Sequence, residues 1–131
     1  MKALNLLFLL SPLTRALWDA FVIEEKRKSI DYAFHDAVTM ATIIAEALVI
    51  HSFLGYAWGA TIALCFTTHW LVFDFLLNWF RDKPILTYYG DLTVEKDLSF
   101  IERHVYRHVA WYWLLIAKVV LFTISAIVLW K

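Results

Sequence analysis

The chain has 131 residues, 62% hydrophobic and 18% aromatic, with 12 Lys and Arg balanced by 12 Asp and Glu. Soluble domains are nearer half apolar, so this is a membrane composition; a neutral chain with no basic face excludes a nucleic-acid partner, and the expected partner is the lipid bilayer. With 3 glycines and 2 prolines, few turns are expected, so the fold class is all-α: a polytopic transmembrane bundle forming a single domain over residues 1–131.

Residues 3–23 (ALNLLFLLSPLTRALWDAFVI) are interrupted by Pro12, Arg15 and Asp19. A signal peptide would be followed by a small-x-small cleavage site, and none follows Leu10, so a helix is expected instead. It is either a fourth span of about 20 residues or an amphipathic helix lying in the interface. Ser11, Arg15 and Asp19 share one of its faces.

Residues 24–31 (EEKRKSID) form a polar turn, and Ser29 or Asp31 can cap the next helix. That helix is predicted over 31–54. At about 100° per residue, its His35, Thr39, Thr42 and Glu46 fall on one face, while His51 points the other way. Gly55 permits a tight hairpin into a third helix over 56–82, which Pro84 follows as a stop. On this helix Thr67, Asp74, Asn78 and Arg81 form a narrow polar face opposite Trp70, Val72, Phe73, Leu76 and Trp79. A carboxylate facing lipid would cost several kcal/mol, so the polar face turns toward protein or water.

Residues 85–98 form the longest connection, with Tyr88, Tyr89 and Gly90 suited to a headgroup surface. Ser99 and Glu102 make a capping box for a fourth helix over 100–130. At 1.5 Å per residue that helix is about 45 Å long, so its first turns must protrude from the bilayer. Its polar stripe is His104, Arg107, His108, Trp111 and Lys118.

Lys26, Arg27, Lys28, Arg81, Lys83, Lys96, Arg103 and Arg107 fall in or beside two connections on one side, and the Gly55 hairpin has no Lys or Arg. The positive-inside rule then puts a multi-pass cell-membrane protein with its charged connections in the cytoplasm and its C-terminus outside.

Counting depth along the helices puts Glu46 and Lys118 near mid-membrane, where they are expected to form a buried ion pair. A polar cluster nearer the cytoplasm comprises Arg15, Asp19, His35, Asp36, Asp74, Asn78, Arg81, His104 and His108. His104 and His108, four residues apart, can address one point. With His35 and Asp74 they would complete a nitrogen and oxygen shell for zinc or iron; the plainer reading is interfacial histidines bonded to carboxylates and headgroups. His69 lies on the face opposite Asp74, near Cys65, and reads as a histidine satisfied by a neighbouring helix. Cys65 is the one cysteine and reads as a buried, inert thiol.

The run Phe73-Asp74, Asn78, Arg81, Lys83-Pro84, Tyr88 or Tyr89 and Gly90 resembles a pattern in small integral membrane proteins of bacterial and phage type, and that resemblance implies no activity. Small multidrug-resistance transporters also have four helices and one embedded Glu, but theirs is in the first helix and here Glu46 is in the second. Phage holins are of similar size but usually carry a charged tail, whereas this chain ends at Trp130-Lys131.

Three functions fit the sequence. A non-catalytic scaffold, accessory or assembly subunit, as a homo-oligomer or in a larger membrane complex, asks for no further feature. A metal-dependent enzyme would act on a lipid-like substrate through the His/Asp cluster, and a small transporter or holin-like pore would use Glu46.

Overall fold

The computed structural model describes residues 2–26, 32–85, 104–105 and 108–130. A 3₁₀ segment, Lys2–Leu9, leads into helix α1, Leu10–Lys26; α2 is Tyr32–Leu54, α3 is Trp58–Phe80 and α4 is Trp111–Leu129. Among the described residues there is no strand. Three stretches are long and apolar enough to cross a membrane: His35–Leu54, Trp58–Phe80 and Trp111–Leu129. Helix α1 is not one of them.

α3 is the central helix. It packs against α1, α2, α4 and the 3₁₀ segment, whereas α4 packs chiefly on α3 alone. One apolar core joins Phe8, Ile43, Ala47, Ile50, Leu64, Cys65, Ala126 and Leu129. Pro12, Ala16 and Ala20 present a buried strip of small side chains on α1, which lets its backbone come close to its neighbours. The outside is apolar: Leu13, Leu17 and Phe21 on α1, Ile44 and Leu48 on α2, and Ile116, Val120, Ile124 and Val128 on α4 are all exposed. The inside holds Ser11, Asp19, Glu46, His69, Asn78 and Lys118, all buried. A soluble monomer rarely shows so continuous an apolar surface, and a bundle with lipid around it does.

Several hydroxyls on these helices are absorbed locally. Thr42, Ser52, Thr61, Thr67 and Thr123 each donate to the carbonyl four residues back, so none brings an unmet donor to the apolar surroundings.

The α2–α3 hairpin turns in three residues. Gly55 has φ +66°, a left-handed conformation that other residues adopt only with strain. Its N–H bonds the His51 carbonyl at 2.9 Å, and the His51 Nδ1–H donates to the Tyr56 carbonyl at 2.6 Å. The His51 ring also meets Trp58 edge-on at 5.5 Å, so one side chain braces both arms of the turn.

α3 ends in a Schellman arrangement. Lys83 N–H bonds the Asn78 carbonyl at 2.9 Å, Asp82 N–H bonds the Trp79 carbonyl at 3.2 Å, and Asp82 takes the left-handed position with φ +49°. Pro84 then prevents the helix from resuming.

The fourth helix differs from expectation. It does not run unbroken from residue 100: Ala110 is extended, with φ −62° and ψ 141°, and α4 begins at Trp111. The reason is hydrophobic length. From Trp111 onward, 19 residues carry one charge, that of Lys118, and match the hydrocarbon thickness of about 30 Å. The Ser99–Glu102 capping box and the Tyr88–Gly90 surface loop lie outside the described residues.

Replacing Gly55 with Ala tests the turn. A Cβ there would meet nothing within 4 Å, so any loss is purely conformational. We expect a destabilisation of about 1 kcal/mol in reversible unfolding from mild detergent, the strain of one left-handed residue.

Candidate functional site

The buried polar groups gather in three places, each joining different helices. The innermost centres on Glu46, near mid-length of α2. Ser11 donates twice to its carboxylate, from the backbone N–H to Oε1 at 2.9 Å and from the hydroxyl to Oε2 at 2.7 Å. Ser11 is the second residue of α1, so its N–H has no carbonyl to meet within the α-helix, and Pro12 beside it offers no donor. The carboxylate therefore caps another helix at its positive end. Ser11 Oγ also lies 3.1 Å from His69 Nδ1. The hydroxyl has one proton and gives it to Glu46, so in this arrangement His69 Nδ1 bears the hydrogen and donates to Oγ. The His69 ring stacks on Phe73 with centroids 5.2 Å apart.

The second cluster joins α1 to α2. His35 Nε2 meets Asp19 Oδ2 at 2.6 Å, and His35 Nδ1 meets Asp36 Oδ1 at 3.2 Å. Arg15, one turn before Asp19, reaches its other oxygen at 3.3 Å. Asp19 is thus held between a guanidinium on its own helix and an imidazole on the next. Phe73 stands between the clusters, since its ring is 6.2 Å from that of His35 as well as stacked on His69.

The third cluster joins α3 to α4. Lys118 Nζ bonds Asp74 Oδ2 at 2.5 Å and lies 5.5 Å from the centre of the Trp70 ring. Lys118 is 1% exposed, so its charge is met by a carboxylate and an aromatic face rather than by water.

The expected Glu46–Lys118 pair is therefore replaced by two other contacts, Lys118 with Asp74 and Glu46 with Ser11. The cause is the late start of α4. Lys118 lies about two turns from its beginning, level with Asp74, about two turns from the end of α3. The cytoplasmic-side cluster is also divided. Arg15, Asp19, His35 and Asp36 come together, whereas Asp74 leaves for Lys118. Asn78 bonds the carbonyls of Pro84 and Ile85 at 3.4 and 3.1 Å, and Arg81 is the C-terminal cap of α3. His104 and His108 are exposed, and among the described residues no three His, Cys, Asp or Glu side chains gather as a metal site requires. The proposed zinc or iron shell of His35, Asp74, His104 and His108 is thus not assembled. The contact that sequence reasoning missed is Ser11 with Glu46. Its signal was present, since Ser11 shares a face with Arg15 and Asp19 and precedes Pro12.

No protein-family model, curated protein or solved structure matches the chain.

The third cluster makes a sharp prediction. Lys118→Met and Asp74→Asn should each destabilise the bundle by about 3 kcal/mol, because each leaves an opposite charge poorly met. A double-mutant cycle on detergent unfolding should show strong coupling between them. The cycle of Lys118→Met with Glu46→Gln should be additive.

Proposed function

We propose that this is a multi-pass membrane protein of the cell membrane with a non-catalytic role, a scaffold, accessory or assembly subunit working within the bilayer. The observation that carries this reading is the way the buried ionisable groups are used. Asp19 binds Arg15 and His35, Asp74 binds Lys118, and Glu46 binds the start of α1. Each contact ties one helix to another or locks a side chain that does. Polar groups used this way replace the missing hydrophobic drive between helices in lipid.

On this reading α1 is a fourth span. Its Leu13, Leu17, Trp18 and Phe21 face outward and its Ser11 and Asp19 face inward, the same division as in the other three helices. The Lys and Arg residues of the two connections at the charged end give that end to the cytoplasm, and the C-terminus lies outside.

Single cysteines introduced at Ser29 and Ser99 test the orientation. Both should resist a membrane-impermeant thiol reagent in intact cells and react after permeabilisation, with buried Cys65 silent throughout. Reaction of either in intact cells overturns it.

The scaffold role is tested by a swap. Asp74→Leu combined with Lys118→Met exchanges the ion pair for apolar packing of similar size, a change that buried pairs often tolerate. In a deletion strain of the source organism, this double variant should restore function to the level of the unaltered gene. A folded double variant that fails to do so would give the pair a chemical role and end the scaffold reading.

A further inference from the structure

We propose that Ser11 passes a proton between His69 and Glu46, so that these three residues form a proton relay in the interior of the bundle. The relay goes beyond the scaffold role and does not depend on it.

The geometry supplies two hydrogen bonds in series through one oxygen. Ser11 Oγ is 2.7 Å from Glu46 Oε2 and 3.1 Å from His69 Nδ1. A hydroxyl both donates and accepts, so two proton arrangements fit the same heavy atoms. In the first, a doubly protonated His69 donates from Nδ1 to Oγ, and Oγ–H donates to an ionised Glu46. In the second, Glu46 is a carboxylic acid that donates to Oγ, and Oγ–H donates to a bare Nδ1.

One concerted step converts the first into the second. The Nδ1–H bond breaks as its proton bonds Oγ, while the original hydroxyl proton leaves Oγ for Oε2. A cation and an anion become two neutral groups, and serine keeps one proton throughout. Nothing else is consumed. The step removes two charges from an apolar interior, where charge separation is expensive.

Several charged and titratable side chains surround this exchange. Groups that titrate or carry charge around it are Arg15 and Asp19 on α1, His35 on α2 and Cys65 on α3; Lys118 of α4 is bound to Asp74. Arg15, Asp19 and His35 lie close enough to act electrostatically on His69. Arg15 Nε and Thr39 Oγ1 are buried without a partner among the described residues, and on their helices they lie between the His35–Asp19 cluster and the Ser11–Glu46 level. Thr68 Oγ1, next to His69, is in the same state. Ser11 is the positioning element: its N–H fixes the carboxylate while its hydroxyl exchanges the proton.

Time-resolved infrared spectroscopy of the full chain in liposomes, after an acid jump, tests the relay. The carboxylic-acid band, assigned by its loss in Glu46→Gln, should rise with the same time course as the His69 ring signal, assigned by its loss in His69→Gln, changes. Ser11→Ala should leave the His69 signal but slow the Glu46 band at least tenfold, and Ser11→Thr should restore the original rate. Should Ser11→Ala fail to fold, the unaltered protein decides alone, because separate time courses for the two signals overturn the relay. Glu46 protonation as fast in folded Ser11→Ala as in the unaltered protein overturns it too.

Discussion

Both oxygens of the Glu46 carboxylate are met by one residue, through its N–H at 2.9 Å and its hydroxyl at 2.7 Å. The neighbours of Glu46 on α2 are Ile43, Ala47 and Ile50, which offer it nothing. In such surroundings an ionised carboxylate persists only if the protein itself supplies donors. The donors come from the beginning of α1, where a helix has N–H groups left over. The two needs meet: a buried acceptor without water takes the N–H that Ser11 presents where the 3₁₀ segment passes into α1. This contact sets the height of α1 on α2. The position of α1 in turn decides that Asp19, two turns further on, reaches His35, and that Ala16 and Ala20 pack in the interior.

The bundle is built around α3 because α3 carries a different kind of residue on each side. Leu64 and Cys65 enter the apolar core, His69 meets α1 through Ser11, and Asp74 meets α4 through Lys118. Phe73 lies between the rings of His35 and His69, so the two polar clusters on that side are kept apart by an apolar spacer. α4 has the least polar inventory and joins by one ion pair and the apolar contacts of Ala126 and Leu129. The helices thus differ in the kind of contact they make with α3, since α4 packs on it as extensively as α1 or α2 does.

Much of this was legible in the residues. Apolar runs with few glycines and prolines made an all-helical bundle with three apolar helices the natural reading, and the spacing of Ser11, Arg15 and Asp19 put them on one inward face. What could not be read was axial register between helices far apart in the chain. Depth counting assumed that α4 began near residue 100, and moving that start to Trp111 shifts Lys118 from the level of Glu46 to that of Asp74. No proline or glycine marks the break at Ala110, so periodicity alone could not find it. The metal reading of the histidines failed for a related reason, while the plainer one, a histidine bonded to carboxylates, describes His35. Their spacing showed that His104 and His108 could converge, but not that His35 was already engaged by Asp19 and Asp36.

The turn between α2 and α3 has a consequence for how the protein reaches its membrane. Gly55, Tyr56 and Ala57 carry no charged side chain, and His51 folds back to close the turn on itself. A nascent chain could therefore pass this tip across the hydrocarbon region with little dehydration penalty, carrying α2 and α3 in as a preformed pair. If α1 also lies in the bilayer, as proposed, the order of synthesis places the Ser11 donors there before Glu46 enters.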